Sequence, residues 1–152
     1  LDSRPRFGLS KEFDFFIVDD TILVINKGRF ESLLNFKAGH IEDFEKLQSD
    51  SAFSSLFSVM EPLHEYVGSN KIQLRRASAI RQKANYRNAD FMKRLREECK
   101  ALGFNIIFDS EGRIVPTAET CADIFKALLD HRLESRLSQR LYDVENTSAV
   151  TI

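Results

Sequence analysis

Tryptophan is absent from this chain of 152 residues, while cysteine occurs twice, proline three times and glycine six times. Two cysteines, Cys99 and Cys121, have no Cys-x-x-Cys spacing, which rules out a disulfide framework or a cysteine-rich zinc module. Both fall at apolar positions of expected helices and read as small core residues of a reduced, intracellular chain. The scattered glycines form neither GxGxxG nor GxxxxGK, so no phosphate-cradling loop is present. Serine is common, but no Gly-x-Ser-x-Gly elbow occurs. His40, His64 and His131 share no metal-ligand spacing with each other or with carboxylates. No apolar run approaches the roughly 18 to 20 residues a membrane span needs, and no signal segment opens the chain.

What is present is ordinary for a globular domain: 43% hydrophobic and 30% charged residues, with a formal net charge of -1. The aromatics are lopsided, thirteen Phe beside three Tyr. Phe has no polar handle, so most of these rings are expected in the core. The opening "LDSRPRFGLS" has no initiator Met and reads as a linker, residues 1–12, from an upstream region. Residues 13–152 read as a single domain of common size.

Along the chain, "FDFFIV" and "TILVIN" are dense apolar runs separated by Asp19 and Asp20, a hairpin signature. Helical periodicity follows, through Phe30, Leu33 and Leu34, then Ile41, Phe44 and Leu47, then Phe53, Leu56, Phe57 and Met60. Leu74, Ala77, Ile80 and Ala84 mark the core side of a further helix. Phe91, Met92, Leu95, Cys99 and Leu102 mark another, which Gly103 ends. "FNIIFDSEGRIVPT" reads as a second hairpin around a Ser-Glu-Gly turn. Thr117 is the expected cap of a long helix with Cys121, Ile124, Phe125, Leu128 and Leu129 on its core face. Tyr142 and Val144 alternate as in an edge strand. The fold class is therefore α+β: a small, mostly antiparallel sheet of two hairpins and a C-terminal strand, packed with five or six helices.

The net charge conceals a segregation. From Lys71 to Lys100 there are ten basic residues and three acidic ones, whereas from Ile41 to Glu65 there are six acidic residues and one basic. Three readings compete: solvated faces whose charges pair across the fold, a basic face for nucleic acid, or complementary docking between subunits or partners. For the second, Lys71, Arg75, Arg76, Arg81, Lys83, Arg87, Lys93, Arg94, Arg96 and Lys100 are the candidate phosphate contacts. Arg outnumbers Lys among them, which favours forked recognition of phosphate or carboxylate. Tyr86 lies between Lys83 and Arg87, where a ring could stack on a base or close the edge of the core.

A metal-dependent nuclease would need two carboxylates on adjacent strands with a nearby Lys. The first hairpin offers Asp14, Asp19, Asp20 and Lys27, but Ile25 stands where the second carboxylate belongs. No catalytic residue and no cofactor is expected, and the nuclease remains a minor alternative.

The order of "FDFFIVDDTILVINKGRFESLLNF", "IRQKANYRNADFMKRLRE", "IIFDSEGRIVPT" and "LLDHRLESRLSQRLYDV" resembles the KwaB domain of the Kiwa anti-phage defence system, over residues 13 to 150. The resemblance implies a bacterial cytoplasmic protein that acts in antiviral defence, associates with DNA and works beside a membrane-embedded partner, through which it would be recruited to the inner membrane. In its closing pattern, Leu133 and Leu137 are expected to pack, Asp130 and Ser135 to tie a helix end, and Tyr142 to hold the last strand. The expectation is a non-enzymatic effector domain that binds DNA without sequence choice. The alternative is an oligomerisation or partner-docking module, homo-oligomeric association included.

Overall fold

"FFIV" and "TILV" form the first structural element: β1 (Phe15–Val18) pairs antiparallel with β2 (Thr21–Val24), Phe15 opposite Val24 and Val18 opposite Thr21. Asp19 takes φ +51° in the two-residue turn, a conformation Asp tolerates better than most residues. The computed structural model describes residues 13–145, so the expected linker at 1–12 lies outside the described residues. Packing divides the chain into two units, Leu1–Gly39 and His40–Ile152.

In the first unit the hairpin is followed by α1 (Lys27–Leu33), which Asn26 caps by accepting from the Arg29 amide. Phe30 meets Phe15 edge to face at 5.0 Å and Phe36 at 6.2 Å. The Arg29 guanidinium lies 3.6 Å from Asp14. Little else is covered. Phe16, Ile17, Val18, Ile22, Leu23, Val24 and Ile25 are all exposed, and so are Leu33 and Leu34. The expectation that the Phe residues are core, and that Leu33 and Leu34 share a buried face, therefore fails in this unit. The composition is that of strands buried on both sides, yet among the described residues the unit supplies one complete helix, α1, beside them.

The second unit holds the core. Its helices are α2 (Phe36–Ser49, the unit boundary falling in its first turn), α3 (Ser51–Ser54), α4 (Glu61–Val67), α5 (Lys71–Lys83), α6 (Ala89–Glu98) and α7 (Cys121–Leu128), with a 3-10 turn at Asn85–Arg87. The caps are chemically explicit. Asp50 caps α3, Asn70 caps α5 and Asn88 caps α6, each accepting from amides of the first turn. Ala84 closes α5 at φ +51°, so it ends the helix rather than extending its stripe.

The core comprises Phe44 and Leu47 of α2, Phe53, Phe57, Leu63 and Val67, Leu74, Ala77 and Ile80 of α5, Met92, Leu95 and Cys99, and Cys121, Ile124, Phe125, Ala127 and Leu128 of α7. Ile41, at the same spacing as Phe44 and Leu47, is exposed. Phe53 stacks edge to face on both Phe57 and Tyr86, and Tyr66 on Phe125. Both cysteines are buried and free, and burial raises the Cys121 thiol to about 11.

The α+β class holds, with seven α-helices and two separate two-stranded sheets among the described residues. Three details differ from expectation. The segment 104–117 keeps its turn, with Gly112 at φ +75° and Asp109 accepting from the amides of Glu111 and Arg113, but its pairing shrinks to single bridges. The Ile114 amide donates to Leu56 O and its carbonyl accepts from Ser58, so the backbone that would extend a ladder is spent on the 56–58 segment. The second sheet forms instead from β3 (Arg132–Glu134) and β4 (Leu141–Asp143), the latter being the expected terminal strand. Finally, α7 starts at Cys121, one full turn after Thr117.

Leu133 and Leu137 do not pack as expected: Leu133 is 44% exposed and Leu137, in the β3–β4 loop, is 99% exposed. Ser135 ties that loop rather than a helix end, its amide donating to Arg140 O and its hydroxyl accepting from the Ser138 amide. A direct contrast follows for urea denaturation. Phe125→Ala should cost about 3–5 kcal/mol, whereas Leu137→Ala should stay within about 0.5 kcal/mol of the parent chain.

Candidate nucleic-acid interface

The basic residues of α5, the 3-10 turn and α6 do not form one sheet of charge. Helix geometry divides them, because the core stripe of each helix assigns every other position to a flank or to the outside.

Two of the ten point back to the acidic segment. Arg81 donates to Asp43 at 2.9 Å, and Asp43 also accepts from the buried hydroxyl of Ser78. Arg87 donates to Asp50 at 2.6 Å, and the phenol of Tyr86 donates to the same oxygen at 2.7 Å. The hydrogen bond from Tyr86 is the main reason the Asp50 carboxyl sits below the ordinary carboxylate value, helped by the Ala52 amide and Arg87 against the cost of burial. Burial foremost, then the bond to Asp50, pushes the Tyr86 phenol up. Tyr86 is 5% exposed, so its ring is not offered to a base. Asp50, Arg81, Tyr86 and Arg87 line an open polar groove of about 750 Å³ with Glu42, Glu45, Lys46, Ser49 and Ser51. Its mixture of carboxylates and already paired guanidinia gives no surplus of positive charge for a phosphate.

The outward side of α5 meets the C-terminal segment. Arg76 bonds Glu145 at 2.6 Å and holds that carboxyl below its ordinary value. Lys83 donates to Leu129 O at 2.8 Å. Desolvation first, then Lys83 and Arg76, depress the nearby His131. Arg75 is exposed with no ion pair among the described residues, although Glu145 lies within its field. Lys71 is exposed at the first turn of α5.

On α6 the arrangement is more open. Lys93, Arg96 and Lys100 recur at three- and four-residue steps along one strip of the helix and its continuation, and all three are exposed. Arg96 reaches only a carbonyl, Gly112 O at 3.3 Å. Lys93 and Lys100 make no ion pair among the described residues. Arg94 falls on the opposite flank, lining a smaller groove of about 240 Å³ with Glu98, Asp130 and Arg132.

Two exposed arginines outside this segment, Arg136 and Arg140, border the β3–β4 loop. Charge counting over residues 71–100 passed over them. The signal that marks them is the local string "SRLSQR", in which one Leu stands among polar residues with no periodicity to place it in a core.

The Asp50 cluster gives a sign-checked prediction. A carboxyl whose folded pKa is depressed adds stability that is present above its ordinary value of 3.8 and lost as pH falls through the folded value. Urea midpoints should therefore separate the parent chain from Asp50→Asn near about pH 7 and converge toward about pH 3. Tyr86→Phe should cost about 1 kcal/mol in the same urea titration.

A family model described as Kiwa protein KwaB-like matches residues 3–138. No curated protein and no solved structure matches the chain. Among the described residues no helix is long and apolar enough to cross a membrane. The family match covers all but the ends of the sequence, both units included, and the chain belongs to the KwaB-like family of the Kiwa anti-phage defence system.

Proposed function

We propose that this chain is a non-enzymatic effector domain of that defence system, one that grips DNA through phosphates without reading bases. The observation that carries the reading is the exposed face of Lys93, Arg96 and Lys100 on α6 and its continuation, where Glu97 lies among three cations but none of them forms an ion pair among the described residues. A strip of this kind can displace condensed counterions from a phosphate track and needs no base contact to do so. Arg75 adds a fourth cation on α5. Arg81 and Arg87, committed to Asp43 and Asp50, and Arg76, committed to Glu145, contribute structure more than affinity. The work of the segment is thus split: some of its charge holds the fold, and the rest faces outward. The reading places the protein in the cytoplasm, with any approach to the inner membrane made through a partner.

A second reading, a docking module, draws support from the first unit. Seven apolar residues, Phe16, Ile17 and Val18 on β1, Ile22, Leu23 and Val24 on β2, and Ile25 just after it, stand exposed. A two-stranded hairpin is marginal by itself, and contiguous apolar surface of this kind marks interaction sites. A partner subunit or a second copy would cover it.

Charge reversal at Arg75, Lys93, Arg96 and Lys100 to Glu should abolish retention on duplex DNA while leaving the circular dichroism spectrum unchanged. These four cations should contribute roughly -3.6 to the log-log slope at which the parent chain loses affinity with salt, the value for four neutralised phosphates. Binding that survives the reversal would remove the phosphate grip. The docking reading is checked separately by Ile17→Lys with Leu23→Lys, which should dissociate an assembly seen by light scattering without altering DNA retention.

A further inference from the structure

We propose that the β3–β4 hairpin is a second DNA-contacting element, whose loop enters a groove of the duplex with Arg136 and Arg140 on the backbone and Leu137 inserted against a base step. This rests on the phosphate grip and extends it to a side chain that deforms the duplex.

The loop is built, not slack. The Ser135 amide donates to Arg140 O at 3.0 Å, the Gln139 amide donates to Ser135 O at 2.8 Å, and the Ser138 amide donates to the Ser135 hydroxyl at 3.2 Å. Ser138 and Tyr142 join their hydroxyls at 3.3 Å, and Gln139 turns the chain at φ +52°. These bonds hold a six-residue tip between Glu134 and Leu141, which are paired across the strands. At its apex Leu137 is 99% exposed, touching nothing that would explain an apolar residue there. Arg136 and Arg140 flank it, both exposed and without an ion pair among the described residues, and residues 135–140 contain no carboxylate.

The base of the hairpin is fastened where the two basic helices come near it. Arg132, at the start of β3, stacks over Phe104 at 4.4 Å and donates to the carbonyls of Leu102 and Gly103, just beyond Lys100. Its guanidinium also meets Asp143 at 2.9 Å, and Asp143 takes Lys126 at 2.6 Å. Past β4, Glu145 is bonded to Arg76 of α5 and lies in the field of Arg75. Asp143 and Glu145 at the base are therefore engaged while Glu134 at the foot of the loop is exposed, the tip carries two arginines and a leucine among neutral polar residues, and the exposed cations Arg75 and Lys100 stand within two positions of Arg76 and Leu102, which hold the base.

An apolar wedge between arginines on a two-stranded arm is the chemistry of elements that enter a groove, unstack one step and bend the duplex. Such insertion is cheapest at flexible pyrimidine–purine steps, so it requires no base-specific hydrogen bond. One leucine is far less apolar surface than a segment that lies in a lipid interface buries, which favours DNA over a membrane as the ligand.

The test uses the full chain and a short duplex with a central TA step, labelled at both ends for energy transfer. Wild type should bind and raise transfer by bending the DNA. Leu137→Ala should abolish the rise while affinity falls by less than about tenfold, because phosphate contacts remain. Arg136→Ala with Arg140→Ala should reduce the salt slope by about 2. Binding and bending by both variants as in wild type would overturn the hairpin proposal and leave the helical grip standing. A wild type that retains no duplex would bring down both. Co-sedimentation with vesicles of phosphatidylethanolamine and phosphatidylglycerol is the last arm. Its loss in Leu137→Asp, with DNA bending intact in that variant, would overturn the proposal in favour of a lipid surface.

Discussion

The carboxylate of Asp50 ties the acidic and basic halves of the second unit into one structure. One of its oxygens caps α3 through the Ala52 amide, and the other receives both the Tyr86 phenol and the Arg87 guanidinium. Tyr86 can bury its ring against Phe53 only because its hydroxyl finds this acceptor, since a buried phenol without a partner is costly. The turn between α5 and α6 is thereby fixed against α3, and the direction in which α6 leaves that turn follows. Where the outward strip of α6 faces is in this sense decided by a bond that involves none of its residues.

The same arrangement explains how a nearly neutral chain can display positive charge. Asp43, Asp50 and Glu145 each hold an arginine; Asp43 and Asp50 are partly buried and also accept from Ser78 and Tyr86, which makes them stronger acceptors than a solvated surface pair, whereas Glu145 is largely exposed. Every carboxylate so used is one that cannot screen the remaining cations. Lys93, Arg96 and Lys100 stand apart from these pairs, and so do Arg136 and Arg140. The two groups meet through the base of the β3–β4 hairpin, whose own acidic residue Asp143 is occupied by Lys126 and Arg132.

A division of labour between the units follows. The second contains the buried core and the charged surfaces. The first contains a hairpin and one short helix whose apolar side chains are mostly open to solvent. The proposed function assigns the second unit to a polyanion and the first to an apolar partner surface.

Much of this was legible in the residues alone. Apolar spacing placed the core faces of α5, α6 and α7, because burial of one stripe is enforced by helix geometry whatever the neighbours are. The Asp-Asp turn marked the first hairpin, because turn chemistry is local. The order of apolar and basic segments was enough to suggest the KwaB-like family. Pairing was not legible. Ile114 exchanging backbone bonds with residues 56 and 58, Tyr86 turning inward to Asp50, and Arg81 reaching Asp43 all join positions more than thirty residues apart. Nothing within a window of sequence ranks those partners over others. Leu137 failed the same way: its hydrophobicity argued for burial, and only the position of the β3–β4 loop left it in water. The sequence by itself determined which side chains are driven from solvent and which carry charge. Tertiary structure decided which charges cancel and which stay exposed, because that depends on distances set by the packed core and not on order along the chain.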